Sequence, residues 1–546
     1  MSEFIDRYFF KETAMNFDYI IIGAGSAGCV LANRLSANTE NQILLIEAGK
    51  EDKSYTLDMP AAMLSNLTNN KFNWLFQGEP EPQLNNRVFQ HDRGKTLGGS
   101  SSINGMVYIR GHAKDFDGWD EMGCEGWSYE DVLPYFIKME NYDAPGFKDR
   151  GNTGPLNVHR PTPADEISKA FLKAGEESGY PKTDDINGDL QEGFGVFDST
   201  IYNGKRWSSA RAYLDPIKHK DNITILTETS VVSVEINNKK ATGVCTKDKH
   251  GDKRTYQANK EIVLSAGAVC TPHIMMLSGL GPKKHLQDNH IHVVADMPGV
   301  GQNLNDHPDF VLKYKCTKPV SLWPKTKLLP RILAGIRWFI THTGMCATNH
   351  FDVIGCVRSD PKIAYPDIQL CVSPIAVDDQ TWKPLKEHAF QVHVGLMQAF
   401  SRGRISLNDK DPFLPPKILV NYLDDERDRE AFHNGIRIVR KLMKTSAFKD
   451  LCGEEIFPGG DVNSEDEINK KINAHVYSQW HLSGTASMGK SDNPNAVVDK
   501  DGKVHGIKSL RIVDASIMPR VTNGNTNCPT IMIAEKISDV ILRLNS

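Results

Sequence analysis

The glycine-rich turn GAGSAG at residues 23–28 constrains this chain more than any other feature. An apolar, β-branched run at residues 17–22 precedes the turn and predicts a buried parallel strand. Helical apolar spacing follows the turn, and a second apolar run at residues 43–46 ends at Glu47, about 20 residues beyond the last glycine. Strand, turn, helix, strand and acid in this order predict a dinucleotide-binding βαβ unit.

Each glycine of the turn has a separate physical role in such a unit. Gly23 permits the tight turn, Gly25 lets the backbone approach a pyrophosphate, and Gly28 allows the helix to pack closely on the strand. The helix N-terminus attracts the pyrophosphate charge, and Glu47 is placed to accept hydrogen bonds from ribose hydroxyls. This fingerprint alone does not choose between NAD and FAD.

Two further blocks of small residues repeat the pattern of a turn followed by apolar sequence. GKTLGGSSSINGMVYIRG at 94–111 predicts a loop whose backbone lies against a flat or phosphorylated ligand. A flexible surface turn is the alternative, but such turns are seldom followed at once by an apolar run. GAVCTPHIMMLSGLG at 267–281 follows a predicted strand at 262–264 and presents small residues before a helix.

These two blocks resemble the two sequence signatures of the glucose–methanol–choline (GMC) family of FAD-dependent oxidoreductases. The C-terminal segments WHLSGTASMG, LRIVDASIMP and GNTNCPTIMIAEKISD resemble the catalytic region of the same family. Within the family, YPKTDDINGDLQEGFG and SRGRISL are similar to segments of bacterial choline dehydrogenases. The resemblance covers residues 17–544.

The resemblance implies an α/β fold, in which a Rossmann-like FAD-binding domain is interleaved with an antiparallel-sheet substrate-binding (cap) domain. We expect a discontinuous FAD-binding domain at 17–160, 220–310 and 475–546. The cap domain is expected mainly at 161–219 and 311–474, and residues 1–16 form an N-terminal extension.

The resemblance also implies a catalytic pair that faces the flavin, His481 and Asn525. An imidazole with a reference pKa of about 6.5 is a suitable base for an alcohol proton, and an amide can hydrogen-bond the alcohol oxygen. The competing interpretations are a packed structural histidine and a turn asparagine. Asn527 is better explained as a helix cap, and His350 as part of the cap-domain wall rather than as a base.

Carried over by position, the motifs predict a large set of cofactor contacts. They are Gly23, Gly25, Ser26, Ala27, Gly28, Glu47, Ala48, Trp74, Arg93, Leu97, Gly99, Ser100, Asn104, Gly105, Met106, Val107, Val231, Ala266, Trp480, Asp514, Ala515, Asn525 and Thr526. Some family members attach FAD through a histidine directly before the position of Asn104. This chain has Ile103 there, which is not a nucleophile, so we expect noncovalent FAD.

The predicted reaction is oxidation of a primary alcohol to the aldehyde by hydride transfer to flavin N5, with a choline-type substrate favoured. A permanent cation needs aromatic faces and a carboxylate. Trp74, Trp480 and Phe351 are candidate faces, and Asp352 is the candidate carboxylate. Asp352 stands where the similar choline enzymes have Glu, and its shorter side chain draws the charge back.

Arg520 favours a second substrate class, because choline dehydrogenases carry an apolar residue at this position. A guanidinium that points into the pocket would repel a quaternary ammonium and attract a short hydroxy acid such as 3-hydroxypropionate. The alternative is that Arg520 faces a FAD phosphate or solvent.

Other functions remain open from the sequence. The electron acceptor is expected to be a quinone or another carrier, and an alcohol oxidase that makes H2O2 is the alternative. A hydroxynitrile lyase with a redox-idle flavin is a remote possibility from another class. A flavin-loaded binding protein is disfavoured by the intact pair of His481 and Asn525.

Composition narrows the partners. There are 64 Lys+Arg against 68 Asp+Glu, a formal net charge of -4, so no basic surplus indicates nucleic acid. No apolar run reaches the roughly 18–20 residues of a membrane-spanning helix, and the first sixteen residues do not resemble a secretory signal. The ten cysteines form no CxxC pair, so no metal site is expected and a cytoplasmic location is favoured.

One stretch indicates contact with a membrane surface. Residues 317–344 carry five Lys and Arg and no acid, interleaved with Trp and aliphatic residues. Such a stretch can lie in an anionic bilayer interface at the inner face of the membrane, where a quinone is found. The favoured alternative is a short helix at 331–341 whose apolar face packs inward against the cap domain.

Overall fold

The computed structural model describes residues 15–379 and 381–544. Most of the expected N-terminal extension, residues 1–14, lies outside the described residues. The strands are β1 Met15–Ile22, β2 Ile43–Ile46, β3 Phe76–Gln77, β4 Gln90–His91, β5 Glu140–Tyr142, β6 Leu156–Val158, β7 Gly193–Val196, β8 Ile201–Tyr202, β9 Lys205–Arg206, β10 Ile223–Leu226, β11 Thr229–Asn237, β12 Lys240–Asp248, β13 Lys253–Leu264, β14 Leu280–Gly281, β15 Ala295–Asp296, β16 Pro308–Cys316, β17 Val353–Val357, β18 Ile368–Ser373, β19 Ala389–Leu396, β20 Arg404–Ser406, β21 Lys417–Leu419, β22 Cys452–Phe457, β23 Tyr477–Ser478 and β24 Leu510–Ile512.

The helices connect and cover these strands. They are α1 Ser26–Leu35, α2 Tyr55–Asp58, α3 Ala113–Glu121, α4 Tyr129–Met139, α5 Glu166–Glu177, α6 Gly267–Leu277, α7 Lys283–Asp288, α8 Leu328–Thr341, α9 Glu426–Met443, α10 Glu465–His475 and α11 Asn527–Leu544. A 3₁₀ helix at Pro60–Asn66 is also important below.

The first large sheet has seven strands in the order β10-β2-β1-β13-β12-β11, with β24 also paired to β13. Strands β10, β2, β1, β13 and β24 pair in parallel, whereas β11, β12 and β13 form an antiparallel meander. All four residues of β2 are buried, as expected for a parallel strand covered on both faces. This is the Rossmann-like sheet that the βαβ pattern predicts.

The second large sheet is antiparallel, in the order β22-β16-β19-β18-β17-β7, and β23 also pairs with β16. Helices α5 and α9 pack on it. The two sheets together confirm the predicted fold class, an α/β cofactor-binding part combined with an antiparallel cap.

The connections bring the ends of both sheets together. The C-terminal end of β13 leads into α6, and β24 leads towards the turn before α11. On the cap side, β16 and its short partner β23 lie next to each other, and β23 leads directly to His481. The region between the two sheets therefore receives residues from the middle and the C-terminal end of the chain.

Helix α8 differs from the expectation for residues 331–341. It begins three residues earlier, at Leu328, and only Trp338 of the helix is buried. Large apolar side chains with exposures of 48–74% form one face of the helix, namely Leu328, Leu329, Ile332, Leu333, Ile336, Phe339 and Ile340. The favoured expectation of inward packing is therefore wrong, because the apolar face of the helix is exposed and Trp338, on the other side, is the residue that packs inward. No described helix is long and apolar enough to cross a bilayer.

Candidate active site

A cavity of about 670 Å³ lies between the two sheets. Three helices, α1, α6 and α11, present their N-terminal residues to it: Ser26 and Ala27, Gly267 and Ala268, and Thr526 and Asn527. Two of these helices are joined where they meet, because Ser26 Oγ donates to Asn527 Oδ1 at 2.8 Å. Helix N-termini carry partial positive charge and unpaired N–H groups, so this end of the cavity suits a pyrophosphate.

The first glycine of the fingerprint is required by its backbone. Gly23 has φ of +97°, a conformation that favours glycine, and a Cβ there would lie 2.6 Å from the carbonyl oxygen of Ser265. Gly99, in the second block, has φ of +53°, and its Cβ would lie 2.7 Å from the Cα of Gly25. The two glycine loops therefore touch, and this close approach forms the floor of the cofactor end.

Two buried carboxylates flank this floor. Glu47 accepts from the backbone N–H groups of Ala24 at 2.9 Å and Gly49 at 2.8 Å. Burial raises the pKa of Glu47 to about 7, although these two hydrogen bonds oppose the shift. Asp514 accepts from Thr271 Oγ1 at 2.6 Å and from the N–H of Gly267 at 2.9 Å, which ties β24 to the start of α6.

Nearly all of the predicted cofactor contacts line the cavity. The lining residues are Gly23, Gly25, Ser26, Ala27, Glu47, Ala48, Trp74, Arg93, Gly99, Ser100, Asn104, Gly105, Met106, Val107, Val231, Ala266, Trp480, Asp514, Ala515, Asn525 and Thr526. Gly28 and Leu97 are the two predicted cofactor contacts that do not line the cavity. A Cβ on Gly28 would lie 1.9 Å from the Gly23 carbonyl oxygen, so Gly28 serves helix packing, and Leu97 packs against the core.

The predicted catalytic residues meet at the other end of the cavity. Asn525 Nδ2 lies 3.0 Å from His481 Nε2, and His307 Nδ1 lies 2.9 Å from His481 Nδ1. The backbone N–H of His481 donates to Asp306 Oδ1 at 2.6 Å. His307 and Asp306 were not predicted from the sequence. His307 contacts the imidazole from its far side, and Asp306 fixes the backbone of His481.

The environment of His481 keeps its imidazole neutral. Burial lowers its pKa well below the usual 6.5, and the neighbouring His307 and Arg93 act in the same direction. A neutral ring with a lone pair on Nε2 is able to accept a proton, which is the property required of a general base. Asn525 Oδ1 has no hydrogen-bond partner in the described part of the chain, so the amide retains hydrogen-bonding capacity at this point.

The predicted substrate residues separate into two groups. Phe351 lines the cavity, as do Trp74 and Trp480, but Asp352 does not. Phe351 and Asp352 directly precede strand β17. Burial raises the pKa of Asp352 to about 6, and the nearby charges are Asp165 and His159 rather than groups of the cavity. The prediction that Asp352 is the cation-binding carboxylate is therefore wrong, because Asp352 does not line the cavity.

The structure also contradicts the prediction that Arg520 points into the pocket. Arg520 does not line the cavity, and its guanidinium carbon lies 5.1 Å from the ring centre of Phe400. The same guanidinium opposes the burial that raises the pKa of Asp115 to about 7, so it is directed towards that carboxyl group. The observation that favoured a hydroxy-acid substrate is thereby removed.

The described structure places four residues at the substrate end that sequence reasoning missed. They are Asp309, His393, Tyr477 and Trp382, and all four line the cavity. Asp309, His393 and Tyr477 come from β16, β19 and β23, which are adjacent strands of the cap sheet. Alternation along a strand was the available signal, but the sequence does not reveal which face of each strand meets the cavity.

Neither predicted structural role, a helix cap for Asn527 and a place in the cap-domain wall for His350, is confirmed by the contacts of these residues. Asn527 is the first residue of α11 and accepts from Ser26 Oγ. His350 does not line the cavity, and its backbone N–H donates to Thr348 Oγ1.

All ten cysteines are free thiols, and across residues 15–379 and 381–544 no cluster of three His, Cys, Asp or Glu side chains is placed to hold a metal ion.

Family models described as GMC oxidoreductase match residues 17–309 and 399–534. These matches cover more than half of the chain, and the chain belongs to the GMC oxidoreductase family. Its cofactor is FAD, which the three helix N-termini, the touching glycine loops and Glu47 fit. The predicted family and cofactor are thus confirmed.

Individual relatives and solved structures extend this result. The chain is 45% identical to an oxygen-dependent choline dehydrogenase of Pectobacterium carotovorum, over 97% of this chain and 95% of the relative. It is 44% identical to one of Rhizobium johnstonii, over 97% and 96%. A pyridoxine 4-oxidase from Mesorbium loti aligns with a TM-score of 0.88 at 28% identity, covering 97% and 99% of the two chains. An FAD-dependent oxidoreductase from Chaetomium thermophilum aligns with a TM-score of 0.89 at 26% identity, covering 97% and 100%.

Proposed function

We propose that the protein oxidises choline, or a closely similar quaternary-ammonium alcohol, to the aldehyde. The observation that carries this proposal is Asp309. Four described acids line the cavity, and only Asp309 has a buried carboxylate oxygen, Oδ1, without a hydrogen-bond partner. The names of the choline dehydrogenases at 43–45% identity support the same substrate class.

The neighbours of Asp309 leave its negative charge unbalanced. The N–H of Val377 donates to Gln391 Oε1 at 3.0 Å, so the Gln391 amide turns its Nε2 towards His393 Nε2, at 2.9 Å. His393 Nε2 then accepts, and the ring carries its proton on Nδ1, which donates to Asp309 Oδ2 at 2.7 Å. A neutral imidazole orients the carboxylate without neutralising it, so Asp309 suits a permanent cation.

Aromatic side chains complete the cation site. Tyr477 Oη lies 2.9 Å from His393 Nδ1, and the Tyr477 ring lies 6.4 Å from the ring of Trp480. The Phe351 ring lies 6.3 Å from that of His393. The faces of aromatic rings attract quaternary ammonium groups, and they also exclude water around the carboxylate.

The proton and the hydroxyl oxygen would be handled by the adjoining pair. His481 Nε2 accepts the alcohol proton, while Asn525 Nδ2 donates to the alcohol oxygen and holds the reacting carbon towards the flavin. His307 Nδ1 supports the far nitrogen of the His481 ring. Bound FAD supplies the hydride acceptor. Since Ile103 precedes Asn104, we expect acid precipitation of the protein to release all of the flavin.

The test compares choline with 3,3-dimethylbutan-1-ol, in which carbon replaces the charged nitrogen. In Asp309→Asn, kcat/KM for choline should fall about 100-fold, because charges about 6 Å apart at an effective dielectric constant of about 20 interact by about 2.8 kcal/mol. Turnover of the neutral alcohol should change little. Asp352→Asn is the matched control and should leave the ratio of the two substrates unchanged.

Two results would contradict the proposal. A wild-type protein that turns over the neutral alcohol as well as choline would show that no cation is recognised. Loss of choline selectivity in Asp352→Asn, with selectivity retained in Asp309→Asn, would show that Asp352 rather than Asp309 binds the cation. Absorbance of bound FAD checks that each variant is folded.

We further propose that the electron acceptor is a quinone and that α8 docks on an anionic bilayer. The apolar residues of α8 are exposed, and Lys325, Lys327, Arg331 and Arg337 lie in the same acid-free stretch. Trp338 clusters with Met59, directly before the 3₁₀ helix Pro60–Asn66, whose Met63 and Leu64 line the cavity. The docking surface is thus connected to a wall of the site.

Liposomes test the docking. The protein should bind vesicles rich in phosphatidylglycerol at low salt and leave them at high salt, and Lys325→Glu with Lys327→Glu should weaken binding about tenfold or more. Lys283→Glu with Lys284→Glu on α7 makes the same charge change elsewhere and should have little effect. Full recovery of the wild type in the unbound fraction at low salt would disprove the docking.

The acceptor needs a separate assay, because the similar choline dehydrogenases are named oxygen-dependent. Quinone reduction without peroxide is the expected result. One H2O2 formed for each alcohol oxidised would identify oxygen as the acceptor.

A further inference from the structure

We propose that Trp382 forms the outer wall of the cation site and raises selectivity for quaternary-ammonium alcohols, and that Asp379 is its positioning residue. This inference rests on the proposed function. Trp382 lies between β18 and β19 and lines the cavity. Its ring centre is 5.8 Å from that of Tyr477 and 6.0 Å from that of Trp480, so it joins the aromatic side chains beside the catalytic histidine.

The backbone around Trp382 is held in a compact turn. The N–H of Trp382 donates to the carbonyl of Asp378 at 2.9 Å, and the N–H of Asp378 donates to the carbonyl of Lys383 at 2.9 Å. Val377 and Pro384 form an antiparallel bridge at the base of the turn. Trp382 has φ of +53°, which is unfavourable for a bulky residue and persists only where the surroundings hold it.

Asp379 ties this turn to the body of the cap sheet. Its Oδ1 lies 2.5 Å from Lys313 Nζ, and its Oδ2 lies 3.5 Å from His475 Nδ1. The side chains of Lys313 and Asp379 are 7% and 28% exposed, so the ion pair is partly shielded from water. The pair fixes the residue three positions before the indole, which limits where the indole can lie.

The same ion pair protects the charge of the cation site. Lys313 and Asp309 both belong to β16 and are four residues apart, so their side chains leave the same face of the strand. An unpaired Lys313 would place a positive charge on the face that carries Asp309. Four residues of a strand span about 13 Å, so the pair with Asp379 lowers the net positive charge on this face without contacting Asp309.

An indole has the strongest cation–π attraction of the aromatic side chains, and this attraction acts on the ammonium group but not on its carbon analogue. Trp382→Leu should lower the ratio of kcat/KM for choline to kcat/KM for 3,3-dimethylbutan-1-ol about fivefold. Trp382→Phe retains an aromatic face and should keep most of the wild-type ratio. An unchanged ratio in Trp382→Leu, with both constants lowered equally, would reduce Trp382 to a general apolar wall and overturn the proposal.

Asp379 is tested separately. Asp379→Asn should raise KM for choline about tenfold with kcat little changed, and Asp379→Glu should restore the wild-type KM. In Asp379→Asn combined with Lys313→Met, no unpaired ammonium remains. A choline KM that stays raised supports positioning of Trp382, whereas complete recovery would show that only the Lys313 charge matters and would overturn the role of Asp379.

The outcomes also separate this inference from the proposed function. If the wild type oxidises neither alcohol, the proposed function fails. If choline is preferred and Asp309→Asn abolishes that preference while Trp382→Leu does not alter it, the proposed function stands and the inference about Trp382 fails. Should Trp382→Leu not retain FAD, the Asp379 series decides the question.

Discussion

The two ends of the cavity are built in different ways. The cofactor end comes from short motifs, in which a glycine turn leads directly into a helix, as at Gly23 before α1 and Gly267 at the start of α6. The substrate end is assembled from single side chains on β16, β19 and β23 and on the turn that carries Trp382. Local backbone geometry positions the first set, whereas only the packing of distant strands positions the second.

The largest expected effect separates chemistry from cofactor binding. His481→Ala should lower kcat by about 10³-fold, within the range that a general base contributes. FAD content should remain near that of the wild type, because the residues of the cofactor end are untouched. Rapid-reaction measurement of flavin reduction under anaerobic conditions, with the flavin spectrum as control, checks this expectation. A variant that reduces its flavin at the wild-type rate would contradict the role of His481.

The next prediction disturbs the cofactor end alone. Gly105 lines the cavity, and a Cβ added there would meet no atom of residues 15–379 and 381–544 within 4 Å, so Gly105→Ala would place a methyl group in the space for FAD. We expect FAD affinity to fall about tenfold, measured by titration of the apoprotein. Gly118 in α3 is equally open but does not line the cavity.

Gly118→Ala is the matched control for that experiment. It should leave FAD affinity unchanged and stabilise the fold by about 0.5–1 kcal/mol, since alanine is the better helix residue. Equal loss of FAD in the two variants would show that the effect is not local to the cavity.

The smallest effect concerns the boundary between the two ends. The pKa of His481 is lowered well below 6.5 by burial, then by His307 and Arg93, so the basic form persists as the pH falls through 6.5. With the neutral alcohol, kcat/KM of the wild type should therefore be constant from about pH 8 to about pH 6.5. Burial lowers the pKa of His307 to about 3, so His307 is neutral in this range and offers a hydrogen bond at His481 Nδ1 rather than a charge. In His307→Leu, kcat/KM should therefore fall a few-fold at every pH while the plateau remains. A fall in kcat/KM of His307→Leu between about pH 8 and about pH 6.5 would contradict this role of His307, because it would show that His481 titrates in that range.

The contrast between Asp352 and Asp309 shows which residues of the substrate end could not be predicted from the sequence. Asp352 adjoins Phe351, which lines the cavity, and its position in a family-like segment made it the natural candidate for a cation partner. Asp352 itself does not line the cavity, and the charges that act on it are those of Asp165 and His159. Asp309 carried no motif of its own, and its role appears only when His393 from β19 meets it at 2.7 Å.

The sequence by itself determined the βαβ cofactor unit, the FAD family and the pair His481 and Asn525, because each depends on a local turn or on residues inside a motif. The tertiary structure alone decided what lies on the far side of the His481 imidazole, namely His307, and which predicted or unpredicted carboxylate lines the substrate end of the cavity, Asp309 rather than Asp352. It also turned the apolar residues of α8 outward. The physical reason is the same in each case. Alternation along a strand and amphipathic spacing along a helix predict which residues share one side of the element, but only the packing of distant elements determines what that side contacts.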